Sequence, residues 1–321
     1  ASRRGILVKG SNYLEALANT GVVVFDKTGT LTRGEFSVTQ VKALAGTEQA
    51  LLETAALAEQ FSTHPIARAI RAAWGQEPDR DRVQDVEEQA GHGVRAIIDG
   101  QEVLAGRWKL LKEHGIPMPD GEEELPGTAV HVAAGGQYLG YLLVADQVKV
   151  GAKEALSKLK AVGVGKTVML TGDGDAPAAA VAKELGVDEY HSKLLPVDKV
   201  TLLEQLLEQE RPVAFVGDGV NDAPVLTRAD VGIAMGAMGS DAAIEAADVV
   251  LMEDDLRKLP LAMAIARKTL RIVRENIVFA LAVKALCLVF SAVGIANMWW
   301  AIFADVGVMV LCVCNAIRAL K

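Results

Sequence analysis

Cysteine is missing from the first 286 residues of this 321-residue chain; Cys287, Cys312 and Cys314 all fall in the last apolar stretch. A disulfide framework is thereby excluded from everything before it. Basic excess is missing too. The formal net charge is −8, which argues against a nucleic-acid partner and fits an acidic cytoplasmic body. Aromatics are scarce at 5%, so the 51% hydrophobic content is rich in Ala, Val and Leu and gathers towards the end. No initiator Met and no signal peptide open the chain. It starts in mid-stride with ASRRGILVKG and reads as a piece of something longer.

Four short apolar runs stand out, each ending in turn chemistry and a carboxylate or other polar group. They are VVVFD (22–26), TVMLTGD (167–173), VAFVGDG (213–219) and VGIAMG (231–236). Such runs suit central strands of a parallel sheet buried on both faces. Helical patterns separate them, among them GAKEALSKLKAVG and APAAAVAKELG, the latter closed by Gly186. The alternation predicts an α/β doubly wound parallel sheet, with its chemistry at the carboxyl ends of the strands. Asp26, Thr171, Asp173 and Asp218 then share one edge.

About 110 residues separate the first strand from the others, far beyond an ordinary loop. They carry helical patterns (EQALLETAALAEQF, IARAIRAAWG) and strand patterns (VRAIID, AVHVAAGG). The expectation is an inserted α+β domain over 35–140. Residues 1–34 and 141–262 then form the sheet domain, and 263–321 the tail. EPDRDRVQDVEEQA (77–90) reads as a solvated surface.

Two stretches in the tail, 276–296 and 298–317, are each about 20 residues, the length that spans ~30 Å of hydrocarbon. Their connection is very short, so they predict a membrane hairpin. Arg267, Lys268, Arg271 and Arg274 precede it, and Arg318 and Lys321 follow it. Both ends are thus assigned to the cytoplasm, with Trp299 and Trp300 at the far interface. Lys284 and Asp305 are the ionisable residues within the spans, expensive there and hence read as functional partners. Counting ~1.5 Å per residue from opposite sides leaves about one lysine side chain between them. Cys312 and Cys314, two apart on a helix, point to different faces and read as small packing residues.

The stretch DKTGT puts a carboxylate, Asp26, at a strand tip beside a glycine-containing turn. Such a group attacks phosphorus as a nucleophile, given a divalent cation to screen the phosphate. Asp218 in GDGVNDAP is the second carboxylate, and Mg²⁺ takes one or two of these plus phosphate. Lys199 in LLPVDK supplies positive charge, and Thr171 a hydroxyl.

DKTGTLT followed far downstream by TGD and GDGVNDAP resembles a P-type ATPase, a cation pump of the haloacid-dehalogenase-like fold, over nearly the whole chain. The resemblance implies that Asp26 is phosphorylated by ATP. It implies Mg²⁺ held by Asp26, the Thr28 carbonyl and Asp218, with the phosphoryl group held by Thr171 and Lys199. Lys27, Gly172 and Asp173 belong to the same motifs, and Asn221 and Asp222 complete the site. Simple phosphatases of this fold carry a second aspartate where this chain has Thr28. Without that acid, the aspartyl-phosphate is expected to hydrolyse slowly.

In the insertion, AEQFSTHPIARAI followed by GHGVRA resembles the Ser-x-His-Pro and GxG pair of the heavy-metal subclass. Glu59, His64, Gly91 and Gly93 are implied as the adenosine pocket, the glycines allowing close backbone approach. His92 falls outside that match, and His114, His131 and His191 show no metal-ligand spacing. The Tyr-Asn and Met-x-x-Ser-Ser motifs of copper pumps are absent. The Lys284/Asp305 pair resembles the zinc, cadmium and lead exporters, where the aspartate is an ion ligand and the lysine its counter-charge. An oxygen ligand suits Zn²⁺ better than Cu⁺.

The Thr-Gly-Glu-Ser loop and Cys-Pro-Cys span of the family are not in the chain and are expected in a preceding part of the pump. The localisation implied is the cell membrane, multi-pass, with the catalytic domains cytoplasmic. Two alternatives stay open: a membrane-tethered phosphatase, which Thr28 opposes, and a pump for another cation such as Cu⁺. A nucleotide-sensing module without chemistry is opposed by the intact set of Asp26, Lys199 and Asp218.

Overall fold

The structure, a computed structural model, describes residues 4–89, 91–119, 121, 125, 128–209, 212–219, 222–236, 241–294 and 297–320. In chain order the first elements are β1 (Ile6–Val8), α1 (Ser11–Asn19), β2 (Val22–Asp26), β3 (Thr32–Ala43), α2 (Glu48–Ala58) and α3 (Pro65–Trp74). Next come β4 (Val83–Gln89), β5 (Gly93–Ile98), β6 (Gln101–Gly106), α4 (Trp108–Glu113), β7 (Thr128–Ala134) and β8 (Gln137–Val148). Then follow α5 (Ala152–Ala161), β9 (Lys166–Leu170), α6 (Asp175–Leu185), β10 (Glu189–His191), α7 (Pro196–Gln209) and β11 (Val213–Gly217). The last are α8 (Ala223–Arg228), β12 (Val231–Met235), α9 (Asp241–Ala246), β13 (Val249–Leu251), α10 (Lys258–Ala292), α11 (Met298–Ile302) and α12 (Val308–Ala316).

Two sheets result. The seven-stranded one runs β1-β13-β12-β11-β2-β9-β10. Its pairs β9–β10, β11–β12 and β12–β13 are parallel, and β1 is an antiparallel edge. Every residue of β2, β11 and β12 is buried, which is why these strands read as unbroken apolar runs rather than alternating ones. Gly186 ends α6 with φ of 72°, a left-handed cap that a side chain would strain.

The six-stranded sheet, β3-β8-β7-β6-β5-β4, is antiparallel throughout. Alternation decides its faces. Ala96, Ile98, Val103, Ala105, Val130, Val132, Leu142 and Val144 face α2 and α3, meeting Leu51, Leu52, Ala55 and Ile70. Leu104, Ala133 and Tyr138 meet Leu110 and Leu111 of α4.

By contact density the chain divides into two compact units, Ala1–Val24 with Glu154–Thr167 and Val200–Lys321, and Phe25–Lys153 with Val168–Lys199. β3 and β8 pass through positions 35 and 140, paired from Thr32↔Val148 to Ala43↔Gly140 with register shifts between Thr32 and Phe36 and between Val38 and Gln40. The charged segment 77–90 holds an edge strand, β4, with only Val83 buried. Pairing with one neighbour satisfies its backbone while its charges stay in water. The register slips between Gln84 and Glu87, where Asp85 takes φ of 47°.

The tail is helical. α10 is 35 residues long and ends at Ala292, within the first expected span; residues 295 and 296 lie outside the described ones. Asn297 caps α11, its Oδ1 accepting from the amides of Trp299 and Trp300. A wide turn (Phe303–Gly307) carries α11 into α12. Among the described residues, one helical stretch, Met298–Ala319, is long and apolar enough to cross a membrane.

Candidate functional site

Asp26 is the last residue of β2, so a fully buried strand delivers its carboxylate to the sheet edge, where it is 5% exposed. Lys199 Nζ lies 2.5 Å from Asp26 Oδ1. That lysine sits in the first turn of α7, whose start is set by Pro196 and by Asp198 Oδ2 accepting from the Leu195 amide at 2.9 Å. Thr171 follows β9 and is 2% exposed. Its amide bonds the His191 carbonyl at 3.0 Å, and its hydroxyl accepts from the Asp173 amide at 3.1 Å. Gly172, between them, lies close to the Leu194 carbonyl.

After Asp26 the chain makes a wide turn over 27–31, with Gly29 at φ of 75°. Thr28 is exposed. Lys27, next to Asp26 in the motif, pairs with other carboxylates. Its Nζ is 2.6 Å from Asp173 Oδ2 and 3.5 Å from Asp146 Oδ2. The turn rests on residues that the sequence reading did not single out. Thr32 donates to Asp146 at 2.5 Å, and Lys149 donates to the Gly29 carbonyl. Asp146 and Lys149 are 8% and 6% exposed. One signal was available: two opposite charges ending an otherwise apolar strand.

Asp218 and Asp222 belong to the other unit. Asp218 follows β11, and Asp222, 2% exposed, starts α8 with its carbonyl accepting from Val225 and Leu226. Gly217 makes room for it, since a Cβ there would meet the Phe215 ring at 2.9 Å and Asp222 Cβ at 3.3 Å. Asn221 lies outside the described residues.

A separate cavity of 140 Å³ opens in the six-stranded unit. Glu59, His64, Gly91 and Gly93 all line it, together with Ser62, Glu88, His92 and Arg107. His64 caps α3: its Nδ1 accepts from the Ile66 amide at 3.2 Å, which leaves Nε2 to carry the proton of the neutral ring. Glu59, at the end of α2, is 7% exposed. Burial, reinforced by Glu88 and opposed by Arg71 and Ser62, pushes its carboxyl up to about 7. Arg71 is itself held by the carbonyls of Glu59 and Ser62.

The two glycines differ. Gly91 has φ of 76° with nothing near a Cβ, whereas a Cβ on Gly93 would fall 2.3 Å from the Ala105 carbonyl. Gly93 is therefore required by the close crossing of β5 and β6, where it pairs with Gly106.

In the helical tail, Lys284 Nζ lies 3.2 Å from Asp305 Oδ1. Both line an open groove with Cys287 and Ser291. Among the described residues no group of three or more His, Cys, Asp or Glu side chains is gathered to hold a metal ion.

Residues 20–230 match the haloacid dehalogenase-like hydrolase family model. The whole chain is 50% identical over 326 residues to the cadmium, zinc and cobalt-transporting ATPase of Bacillus subtilis, and 51% identical over 324 residues to a zinc-transporting ATPase of Synechocystis. It spans only 46% and 45% of those relatives, about half their length. A crystal structure of a zinc-transporting PIB-type ATPase in its E2.Pi state superposes with a TM-score of 0.88 at 38% identity, covering 100% of this chain and 53% of that one.

Proposed function

From the premise that the chain belongs to the haloacid dehalogenase-like hydrolase family and resembles heavy-metal P-type ATPases along its full length, we propose that it carries the ATP-using half of a zinc- and cadmium-exporting pump. The observation that carries this reading is the ion pair of buried Asp26 and half-buried Lys199 at 2.5 Å, at the tip of an apolar strand. An Asp26 oxygen attacks the terminal phosphorus of ATP, the bond to the bridging oxygen breaks, and ADP leaves. Lys199 meets charge on the phosphoryl oxygens, and Thr171 and its neighbouring backbone groups orient them. Lys27 keeps the turn in place through Asp173 and Asp146 rather than touching phosphate.

Asp26, the Thr28 carbonyl and Asp218 are oxygen donors throughout, the set that suits Mg²⁺, and would hold it. The ion supplies screening for an anionic nucleophile meeting an anionic phosphate. Thr28 offers no carboxylic acid to activate water, so the phosphorylated form persists. That persistence suits a pump, which changes shape before hydrolysis, and not a phosphatase.

The 140 Å³ cavity takes the adenosine. A protonated Glu59 both donates and accepts, matching the amine donor and ring-nitrogen acceptor on an adenine edge. Asp305 is an oxygen ligand for the transported ion and Lys284 the counter-charge that replaces it after release. The catalytic units are cytoplasmic, and 276–317 forms a membrane hairpin. The test is acid-stable labelling from ATP carrying a labelled terminal phosphate. Wild type takes label, and Asp26→Asn takes none; label persisting in Asp26→Asn refutes the assignment.

A further inference from the structure

The second half of the chain contains polar side chains for which the pump chemistry has no use. Asn276 lies on α10, and Cys312 and Asn315 on α12, both in stretches otherwise apolar and largely exposed. They meet. Arg318 Nη1 donates to Asn315 Oδ1 at 2.8 Å, Asn315 Nδ2 donates to Asn276 Oδ1 at 2.8 Å, and Asn276 Nδ2 donates to the Cys312 carbonyl at 3.1 Å. The thiol of Cys312 points back at the Asn276 carbonyl at 3.7 Å, and Arg318 lies 3.6 Å from Glu275. The three bonds run in one direction, from a guanidinium at the helix end to a main-chain carbonyl. A chain of that kind polarises along its length, each link strengthening the next.

The other end of α10 is anchored in the sheet domain. Leu259, Ala262, Met263 and Ala266 are buried. Arg267 Nε donates to the Ala18 carbonyl at the end of α1 at 2.7 Å. Gly163 leaves room for that guanidinium, since a Cβ there would sit 3.0 Å from Arg267 Nη1. The helix, 35 residues long in all, continues from there without a break, past Asn276 to Lys284 and on to Ala292.

Spacing connects the chain of hydrogen bonds to the ion pair. Asn276 precedes Lys284 by eight residues, ~12 Å along a helix, and Cys312 follows Asp305 by seven, ~10 Å. With the two helices tied at Asn276 and Cys312, Lys284 and Asp305 arrive at one level, 3.2 Å apart. A slip of one helical turn, ~5.4 Å, separates them.

We propose that the Arg318–Asn315–Asn276 chain clamps α12 to α10, so that Asp305 moves as one body with the domain in which α10 is rooted. Asn276 and Asn315 are positioning residues. They set the height of Asp305 and touch neither ion nor nucleotide. This rests on the reading of Asp305 as a ligand of the transported ion.

The test uses the full-length parent pump in lipid, with zinc-dependent ATPase activity and phosphorylation from ATP and from inorganic phosphate as readouts. Asn276→Ala and Asn315→Ala are each expected to raise the KM for zinc about tenfold, an effect of the size that interhelical hydrogen bonds reach in a bilayer. Phosphorylation by inorganic phosphate in zinc-free medium stays at the wild-type level, because the catalytic units are untouched. The double variant is no worse than Asn276→Ala alone, since that change already breaks both bonds between the helices. Cys312→Ala behaves as wild type, because the clamp uses its main-chain carbonyl.

Wild-type KM in Asn276→Ala overturns the proposal, as do additive effects in the double variant. A raised KM in Cys312→Ala also overturns it, by making the thiol a ligand. A merely structural role lowers the yield of folded protein and leaves the KM unmoved. Should Asn276→Ala not accumulate, Asn315→Ala, which removes only the outer links, carries the same readout. Loss of zinc-stimulated activity in the wild type itself refutes the pump reading instead of the clamp.

Discussion

Glu59 makes the stability of the six-stranded unit depend on pH, and the size of the effect follows from its surroundings. Its carboxyl is raised from an ordinary 4.5 to about 7, first by burial and then by Glu88. Each pKa unit corresponds to about 1.4 kcal/mol of preference between protonation states. A rise of that size therefore represents about 3 kcal/mol. Because the folded value lies above the unfolded one, the folded state binds the extra proton. The contribution is fully present below about pH 4.5 and is lost as pH rises through about 7.

Replacing Glu59 with Gln removes the titration and keeps a polar group of similar shape. The assay is urea unfolding of the full chain at pH 5.5, 7 and 8.5, in a background where Trp299 and Trp300 are Phe, so that fluorescence reports Trp74 and Trp108. Wild type is expected to lose about 2 kcal/mol relative to Glu59→Gln between the extremes, at equal m-value. Glu88→Gln shifts the wild-type loss to lower pH and shrinks it, by removing the neighbouring charge. Parallel curves for wild type and Glu59→Gln across that range refute the reasoning, since the buried carboxyl is then not neutral in the folded state.

Further outcomes follow from the geometry around the two sites. Asp146→Ala strips Thr32 and Lys27 of a buried carboxylate and is expected to cost about 3 kcal/mol, less than a fully isolated charge costs because Asp173 still meets Lys27; equilibrium unfolding measures it, and a cost near zero refutes the buried role. Gly93→Ala and Gly91→Ala are expected to separate sharply. The first drives a Cβ into the Ala105 carbonyl and unfolds the β5–β6 pair. The second meets open space and costs about 1–2 kcal/mol for the left-handed backbone alone. Equal melting temperatures for the two refute that distinction.

Much was legible because it is local. A run such as VVVFD carries its burial in its composition, and DKTGT carries both a strand-end carboxylate and the glycine its turn requires. The lengths of 276–296 and 298–317 marked the tail as apolar helices. What was not legible depends on residues far apart in sequence. The opposite charges at positions 146 and 149 do not by themselves mark the supports of a turn more than 110 residues earlier, because a charged pair at a strand end is common. The same holds for Glu88, which lies in a stretch that reads as solvated and yet faces a buried carboxyl across a cavity.

The order of motifs and the chemistry available at each strand end were determined by sequence alone, since periodicity and turn residues act over a few neighbours. Tertiary structure decided the directions of side chains: Lys199 towards Asp26, Lys27 towards Asp173 and Asp146, Glu59 into a cavity where burial and Glu88 alter its acidity, and Asn276 towards Asn315 across two helices. Those choices arise from closing long loops, where burial and hydrogen bonding between distant segments outweigh local preference.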